Sequence, residues 1–138
     1  KGAEYANSLG VFHCDINPYN ILLADAPEAA EPVACLIDWA CALREADRAR
    51  VPFSRRGDFQ PSELISGRVG HQTDVYGCAA TLLWLLARRT RKSLADTSEE
   101  SLRALLGAGD YIPQVDGEAL LSFAATCSQG LAEQWEQR

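Results

Sequence analysis

An almost entirely apolar stretch from Asp74 to Arg89 constrains the fold of this 138-residue chain more than any other feature. Apolar or small side chains would lie on every face of the helix that this stretch forms: Val75, Tyr76, Cys78, Ala79, Ala80, Leu82, Leu83, Trp84, Leu85 and Leu86. A helix without a polar side is normally surrounded by protein. We therefore expect a helix over 74–89, buried on all faces, at the centre of a mainly helical α+β domain.

The composition supports a single globular domain and argues against one class of partner. Hydrophobic residues make up 47% of the chain, which is enough to build one core. The net charge is −6 and the isoelectric point is about 4.8, so the chain offers no broad basic surface for a phosphate backbone. We expect no nucleic-acid partner.

The cysteines and the apolar segments bear on the cellular compartment. The five cysteines are widely spaced and form no CxxC pair, so neither a zinc site nor a disulfide framework is indicated. This pattern favours a reducing compartment. The longest apolar stretch, Val75 to Ala87, is too short to span a bilayer, and no signal-peptide pattern opens the chain. We expect a cytoplasmic or nuclear protein without a membrane partner.

Two polar clusters flank a predicted β-hairpin. Short apolar runs at 21–23 and 33–37, separated by the Ala/Pro/Glu-rich stretch 24–32, are typical of two strands joined by a loop. Asp15 and Asn20 precede the first strand, and Asp38 follows the second. These side chains can converge at one end of the hairpin. Carboxylate and amide oxygens of this kind suit Mg²⁺, which binds through one or two carboxylates and leaves places for substrate phosphates.

Four motifs in order along the chain resemble those of protein kinases. The sequence H-C-D-I-N-P-Y-N-I-L-L from His13 is similar to the catalytic loop H-R-D-x-K-x-x-N and its strand, and L-I-D-W-A from Leu36 to the strand entering D-F-G. Pro61-Ser62-Glu63 resembles A-P-E, and Asp74-Val75-Tyr76-Gly77 resembles the D-V-W-S opening of the buried helix F. The resemblance covers residues 1–138 as the C-terminal lobe alone, from the end of helix E to the start of the last helix.

The resemblance implies a role for each matching residue. Asp15 would be the catalytic base, Asn20 and Asp38 would hold Mg²⁺ against the phosphates of ATP, and Asn17 would lie near the transferred phosphate. The remaining matches would be structural: His13, Trp39, Glu63, Asp74 and Arg138. Glu63 and Arg138 would form an ion pair between the activation segment and the last helix.

Several departures from the kinase pattern are equally informative. The sequence contains no Gly-rich phosphate loop, no V-A-I-K lysine and no helix-C glutamate. We expect these in an N-terminal lobe upstream in the same chain, and we expect these 138 residues alone to be inactive. Asn17 replaces the lysine of many serine/threonine kinases, Cys14 replaces the arginine of H-R-D, and Ala40 replaces the glycine of D-F-G.

Three functions remain open on this reading. The first is transfer of the ATP γ-phosphate to a protein hydroxyl, with serine or threonine favoured over tyrosine. The second is a pseudokinase that binds a regulatory protein as a scaffold, which Asn17 and Ala40 favour. The third and least favoured is a small-molecule kinase of the aminoglycoside-phosphotransferase type, which shares H-x-D-x-x-P-x-N and I-D-W.

Overall fold

The computed structural model describes residues 1–25, 27, 32–50, 57–88, 96, 98–107 and 117–131. The helices are α1 (Gly2–Ser8), α2 (His71–Ala87), α3 (Glu99–Gly107) and α4 (Gly117–Gly130), and short 3₁₀ turns lie at Pro18–Asn20, Trp39–Cys41, Glu45–Arg50 and Ser62–Ser66. The strands are β1 (Val11–Phe12), β2 (Ile21–Ala24), β3 (Val33–Leu36) and β4 (Leu43–Arg44). The expected mainly helical α+β class, similar to a kinase C-terminal lobe, is confirmed.

The strands form two small antiparallel sheets. The predicted hairpin is present as β2 and β3, with Ile21 opposite Leu36. The second sheet pairs β1 with β4, so that Phe12 lies opposite Leu43. The sequence patterns do not predict strand β4 or the 3₁₀ turn at Glu45–Arg50 that follows it. A strand of two residues has no detectable period, which is why the sequence did not reveal it.

Helix α2 organises the core through one of its sides. Its buried residues pack in one cluster with residues of α3, of α4 and of the turn after α4: Tyr76, Ala79, Ala80, Leu83, Ala87, Leu102, Cys127 and Leu131. The approach of α4 is close, because a Cβ built at Gly130 would collide with the Cβ of Ala79. A second cluster of Phe12, Cys14, Leu64 and Val69 lies beneath the loop that follows β1. None of the described helices combines the length and apolar character needed to cross a bilayer.

The expectation that α2 is buried on all faces is wrong. Val75 is 37% exposed and Leu85 is 45% exposed, and Trp84 is half-buried. Positions 75, 78, 82 and 85 recur at helical spacing and line a groove between α2 and the start of α1. Val75 lies beside Gly130 of α4, and Leu82 packs against the core cluster, so the described helices cover this stripe only in part.

Candidate functional site

The carboxylate of Asp74, in the first turn of α2, holds the backbone of the loop that follows β1. Its Oδ2 atom accepts hydrogen bonds from the His13 N–H at 2.9 Å and from Asn7 Nδ2 at 2.7 Å. Its Oδ1 atom accepts a hydrogen bond from the Cys14 N–H at 2.9 Å. Asp74 is only 4% exposed, so these bonds satisfy a carboxylate that burial would otherwise penalise. Asp74 thus fixes the backbone of this loop through three hydrogen bonds.

The backbone at Cys14 is strained, and the Asp74 carboxylate stabilises it there. Cys14 has a φ of 64°, a left-handed conformation that costs about 1–2 kcal/mol in a residue other than glycine. Its side chain is buried in the second core cluster. Burial, followed by the nearby Asp74 carboxylate, raises the pKa of the Cys14 thiol from 9.0 to about 12. Cys14 is therefore a neutral packing residue.

Close packing against α2 also fixes the position of the loop. A Cβ at Gly77 would lie 2.9 Å from both the Cβ and the carbonyl oxygen of Ile16. Only glycine lets the loop backbone approach the helix this closely. The loop is therefore held by Asp74 at the start of α2 and by contact with Gly77 one turn later.

His13 links the loop to the end of β3. The ring is completely buried, and its Nε2 atom lies 3.0 Å from the Ile37 carbonyl oxygen. The Asp15 N–H points to Nδ1 at 3.3 Å, which assigns the proton to Nε2 as the donor to Ile37. The ring also contacts the Trp39 indole, with centroids 4.6 Å apart. In the structure His13 joins the segments that carry Asp15 and Asp38.

The Asp15 carboxylate is held by donors from two different segments. Asn20 Nδ2 donates to Asp15 Oδ2 at 3.1 Å and to the Asp15 carbonyl oxygen at 2.9 Å. Gln60 Nε2 donates to Asp15 Oδ1 at 3.0 Å. Both carboxylate oxygens are therefore hydrogen-bonded in a partly buried environment.

The register of the hairpin brings Asn20 close to Asp38. The Ile37 N–H donates to the Asn20 carbonyl oxygen at 2.9 Å, one residue before Asp38. Asp38 has a φ of 59° and a ψ of 69°, and its exposed carboxylate accepts a hydrogen bond from the Ala40 N–H at 3.4 Å. The Cys41 thiol lies in the field of both Asp15 and Asp38: its pKa is raised by burial first and then by these carboxylates. Asn20 thus connects the two segments: its side chain binds Asp15, and its carbonyl oxygen binds the residue before Asp38.

The donor set suits a magnesium ion shared with a phosphate ligand. Asn20 donates from Nδ2 to Asp15, so the Oδ1 atom of Asn20 is the one suited to a cation. Asp38 adds an exposed carboxylate. Among the described residues, no group of three or more His, Cys, Asp or Glu side chains is arranged to hold a metal. A site with two protein oxygens fits Mg²⁺, which relies on phosphates and water for the rest of its octahedron.

The other residues that the sequence analysis singled out are Asn17, Trp39, Glu63 and Arg138. Asn17 Nδ2 donates to the Asp15 carbonyl oxygen at 3.0 Å, and its Oδ1 accepts from the Tyr19 N–H at 2.9 Å, so the side chain is bound within its own loop. Trp39 is 40% exposed, and its Nε1 donates to the Leu36 carbonyl oxygen at 3.3 Å. Glu63 is buried. Its expected partner Arg138 lies outside the described residues, so the ion pair stays a prediction.

Sequence reasoning missed three residues of this site: Asn7, Cys41 and Gln60. Gln60 lies 45 positions from Asp15, and Asn7 lies 67 positions from Asp74. No periodicity connects residues that far apart. Cys41 follows the D-W-A motif directly, and this proximity was the only available signal.

Comparison of the sequence with known proteins found a distant relative. No family model matches the chain. Mitogen-activated protein kinase kinase kinase 17 of Arabidopsis thaliana is 26% identical to it over 142 aligned residues, which include 98% of the chain. The chain spans 37% of the length of that relative. This distant similarity supports a kinase-like relationship for the chain.

Proposed function

We propose that the chain is the C-terminal lobe of a protein-kinase-like phosphotransferase, which uses Mg²⁺ and ATP to phosphorylate a protein hydroxyl once an N-terminal lobe completes the nucleotide cleft. The observation that carries this proposal is the placement of Asp15, Asn20 and Asp38 together at one end of the β2–β3 hairpin, with Asp74 and His13 holding their segments. The similarity to a plant kinase supports the same reaction class.

Asp15 is the proposed base. Its two oxygens are oriented by Asn20 and Gln60, and each carboxylate oxygen has a second lone pair available to an incoming hydroxyl. The acceptor hydroxyl would donate a hydrogen bond to Asp15 and transfer its proton there as its oxygen bonds to the γ-phosphorus, while the bond from that phosphorus to the β,γ-bridging oxygen breaks and ADP leaves. Phosphoryl transfer depends mainly on the alignment of donor and acceptor, so Asp15 contributes chiefly through the orientation of its carboxylate.

Asn20 and Asp38 are the proposed magnesium ligands. When bound, Mg²⁺ would neutralise charge on the β- and γ-phosphates of ATP. The protein contributes a fixed distance between the two ligands, because the Ile37 to Asn20 backbone hydrogen bond ties the ends of their strands. His13 adds a second tie through the Ile37 carbonyl oxygen.

A pseudokinase scaffold is the second candidate, and one observation favours it. Both polar atoms of the Asn17 side chain are bound within its own loop, so this position presents no cation to a transferring phosphate. An enzyme with this loop would rely on Mg²⁺ and on the N-terminal lobe for all of its positive charge. The scaffold hypothesis predicts partner binding without efficient transfer.

The test is phosphate transfer from Mg²⁺-ATP by the full-length protein and three aspartate variants. Asp15→Asn should lower kcat at least a hundredfold with little change in the KM for ATP, because it removes the base alone. Asp38→Asn should raise the Mg²⁺ concentration needed for half-maximal rate as well as lower kcat. Asp25→Asn is the matched control, since Asp25 is an exposed carboxylate just beyond β2. It should behave as the unmodified protein does.

The choice of acceptor separates the competing functions. Transfer to a protein acceptor supports the protein-kinase proposal. Transfer to a small aminoglycoside-like molecule but to no protein would replace it with the small-molecule kinase. If the full-length protein binds partners normally and neither Asp15→Asn nor Asp38→Asn changes any measured rate, the enzyme is rejected in favour of the scaffold.

A further inference from the structure

We propose that Gln60 is a positioning residue for Asp15, so that the turn before Pro61 sets the direction of the base. This inference rests on the proposed function and adds to it a residue that the kinase-like motifs do not include. The contact is direct: Gln60 Nε2 donates to Asp15 Oδ1 at 3.0 Å. Both side chains are partly buried, which strengthens a hydrogen bond to a carboxylate.

The orientation of the Gln60 amide is fixed from its other side. The Gly57 N–H donates to Gln60 Oε1 at 3.1 Å, while the Gln60 N–H donates to the Gly57 carbonyl oxygen at 3.3 Å. Because Oε1 faces an N–H donor, Nε2 must face Asp15. The turn 57–60 is therefore closed by its own backbone and by the side chain that reaches the base.

Two donors fix the carboxylate where one would leave it free to turn. Rotation about the Cβ–Cγ bond of an aspartate is broad, since terminal torsions of this kind have shallow minima. Asn20 holds Oδ2 from within the loop of Asp15, and Gln60 holds Oδ1 from a segment 45 residues away. Together they define the plane of the carboxylate and hence the direction of its remaining lone pairs.

The contact orients the base without blocking it. An ionised carboxylate has about four acceptor positions, and the Asn20 and Gln60 side chains use two of them. An acceptor hydroxyl can therefore bind Asp15 while Gln60 stays in place. If Gln60 orients the base, removing its side-chain amide should lower the rate of phosphate transfer. If Gln60 blocked the base, the same change would raise that rate.

Two substitutions in the full-length protein test this role. Gln60→Met keeps the length of the side chain but has no donor. Gln60→Glu keeps an oxygen for the Gly57 N–H, also lacks the donor, and adds a negative charge beside Asp15. Each should lower kcat about tenfold or more with less than a twofold change in the KM for the protein acceptor. Gln129→Met and Gln129→Glu, on the exposed surface of α4, are the matched controls and should leave kcat unchanged.

A spectroscopic measurement decides the contact independently of activity. In the ¹⁵N-labelled protein, Asp15→Asn should shift the side-chain amide resonances of Gln60, while the Gln129 amide should not move. Unshifted Gln60 resonances would overturn the proposal. So would a kcat in Gln60→Met equal to or above that of the unmodified protein, or a loss expressed in KM alone. Absence of transfer by the unmodified protein would instead refute the proposed function, and the Gln60 amide shift would still decide whether Gln60 holds Asp15.

Discussion

Asp74 shows how one buried side chain can organise a site to which it contributes no reacting atom. Its two oxygens accept three hydrogen bonds, from the His13 and Cys14 backbones and from Asn7. The two backbone donors are buried in the folded protein, so both need this acceptor. The loop conformation, including the left-handed Cys14, therefore depends on a carboxylate sixty residues away along the chain.

Replacing Asp74 with asparagine should destabilise the protein and distort the loop. One oxygen becomes an NH₂ group that faces N–H donors, so at least one buried donor loses its partner. We expect the free energy of unfolding to fall by roughly 2–4 kcal/mol, measured by urea denaturation. Asp25→Asn, on an exposed carboxylate, is the control. A stability equal to that of the unmodified protein would show that Asp74 does not hold the loop.

Two buried thiols should make the protein less stable at alkaline pH. Burial raises the pKa of Cys127 to about 11, and burial together with Asp74 raises that of Cys14 to about 12, both from 9.0. Above pH 9 the unfolded chain therefore loses these protons while the folded chain keeps them, so stability falls as pH rises.

The expected slope is about 1.4 kcal/mol per pH unit for each thiol once the pH exceeds 9.0, until the folded thiol itself ionises. Urea denaturation between pH 8 and pH 10.5 measures it. Cys127→Ala should remove the contribution of one thiol to this slope. Equal slopes in the Cys127→Ala variant and the unmodified protein would contradict this account.

Helix α2 is the element that connects the core to the site. It presents Asp74 and Gly77 to the loop, and it presents Ala79 and Leu83 to the cluster shared with α3 and α4. A single rigid helix therefore couples the stability of the core to the geometry of the loop.

Two leucines of α2 provide a matched pair for testing this arrangement. Leu83 is fully buried, whereas Leu85 is 45% exposed. Leu83→Ala should lower the free energy of unfolding by about 2–5 kcal/mol, because it leaves a cavity in the core. Leu85→Ala should cost about 1 kcal/mol or less. Equal losses in thermal or urea denaturation would mean that α2 packs through a different face.

The elements that the sequence predicted are those with a local signal. The hairpin and the greater part of α2 follow from apolar runs bounded by turn residues, although α2 begins at His71 and ends at Ala87 where 74–89 was expected. The sheet formed by β1 and β4 was missed because each strand has two residues. The exposure of Leu85 was missed because hydrophobicity indicates that a side chain is suited to burial, not which neighbours cover it.

At the scale of the whole molecule, the candidate site combines local and distant information. The motifs predict Asp15, Asn20 and Asp38 as candidates; the hairpin brings Asn20 beside the segment of Asp38, and the Asn20 side chain binds Asp15. The contact between Gln60 and Asp15 depends on how the segment 57–60 folds back across the loop, and no pattern in the sequence encodes it. The proposed chemistry therefore follows from the motifs, while the proposed alignment of the base follows from tertiary structure.

The central claim is that Asn20 and Asp38 bind one metal ion together with the phosphates of ATP, and paramagnetic broadening by Mn²⁺ tests it most directly. Mn²⁺ takes the place of Mg²⁺ on oxygen ligands. In the ¹⁵N-labelled full-length protein with ATP, trace Mn²⁺ should broaden the Asn20 side-chain amide and the backbone amides beside Asp38, and leave the Gln129 amide of α4 sharp. Asp38→Asn should abolish most of this broadening. Broadening centred elsewhere, or unchanged in Asp38→Asn, would contradict the account.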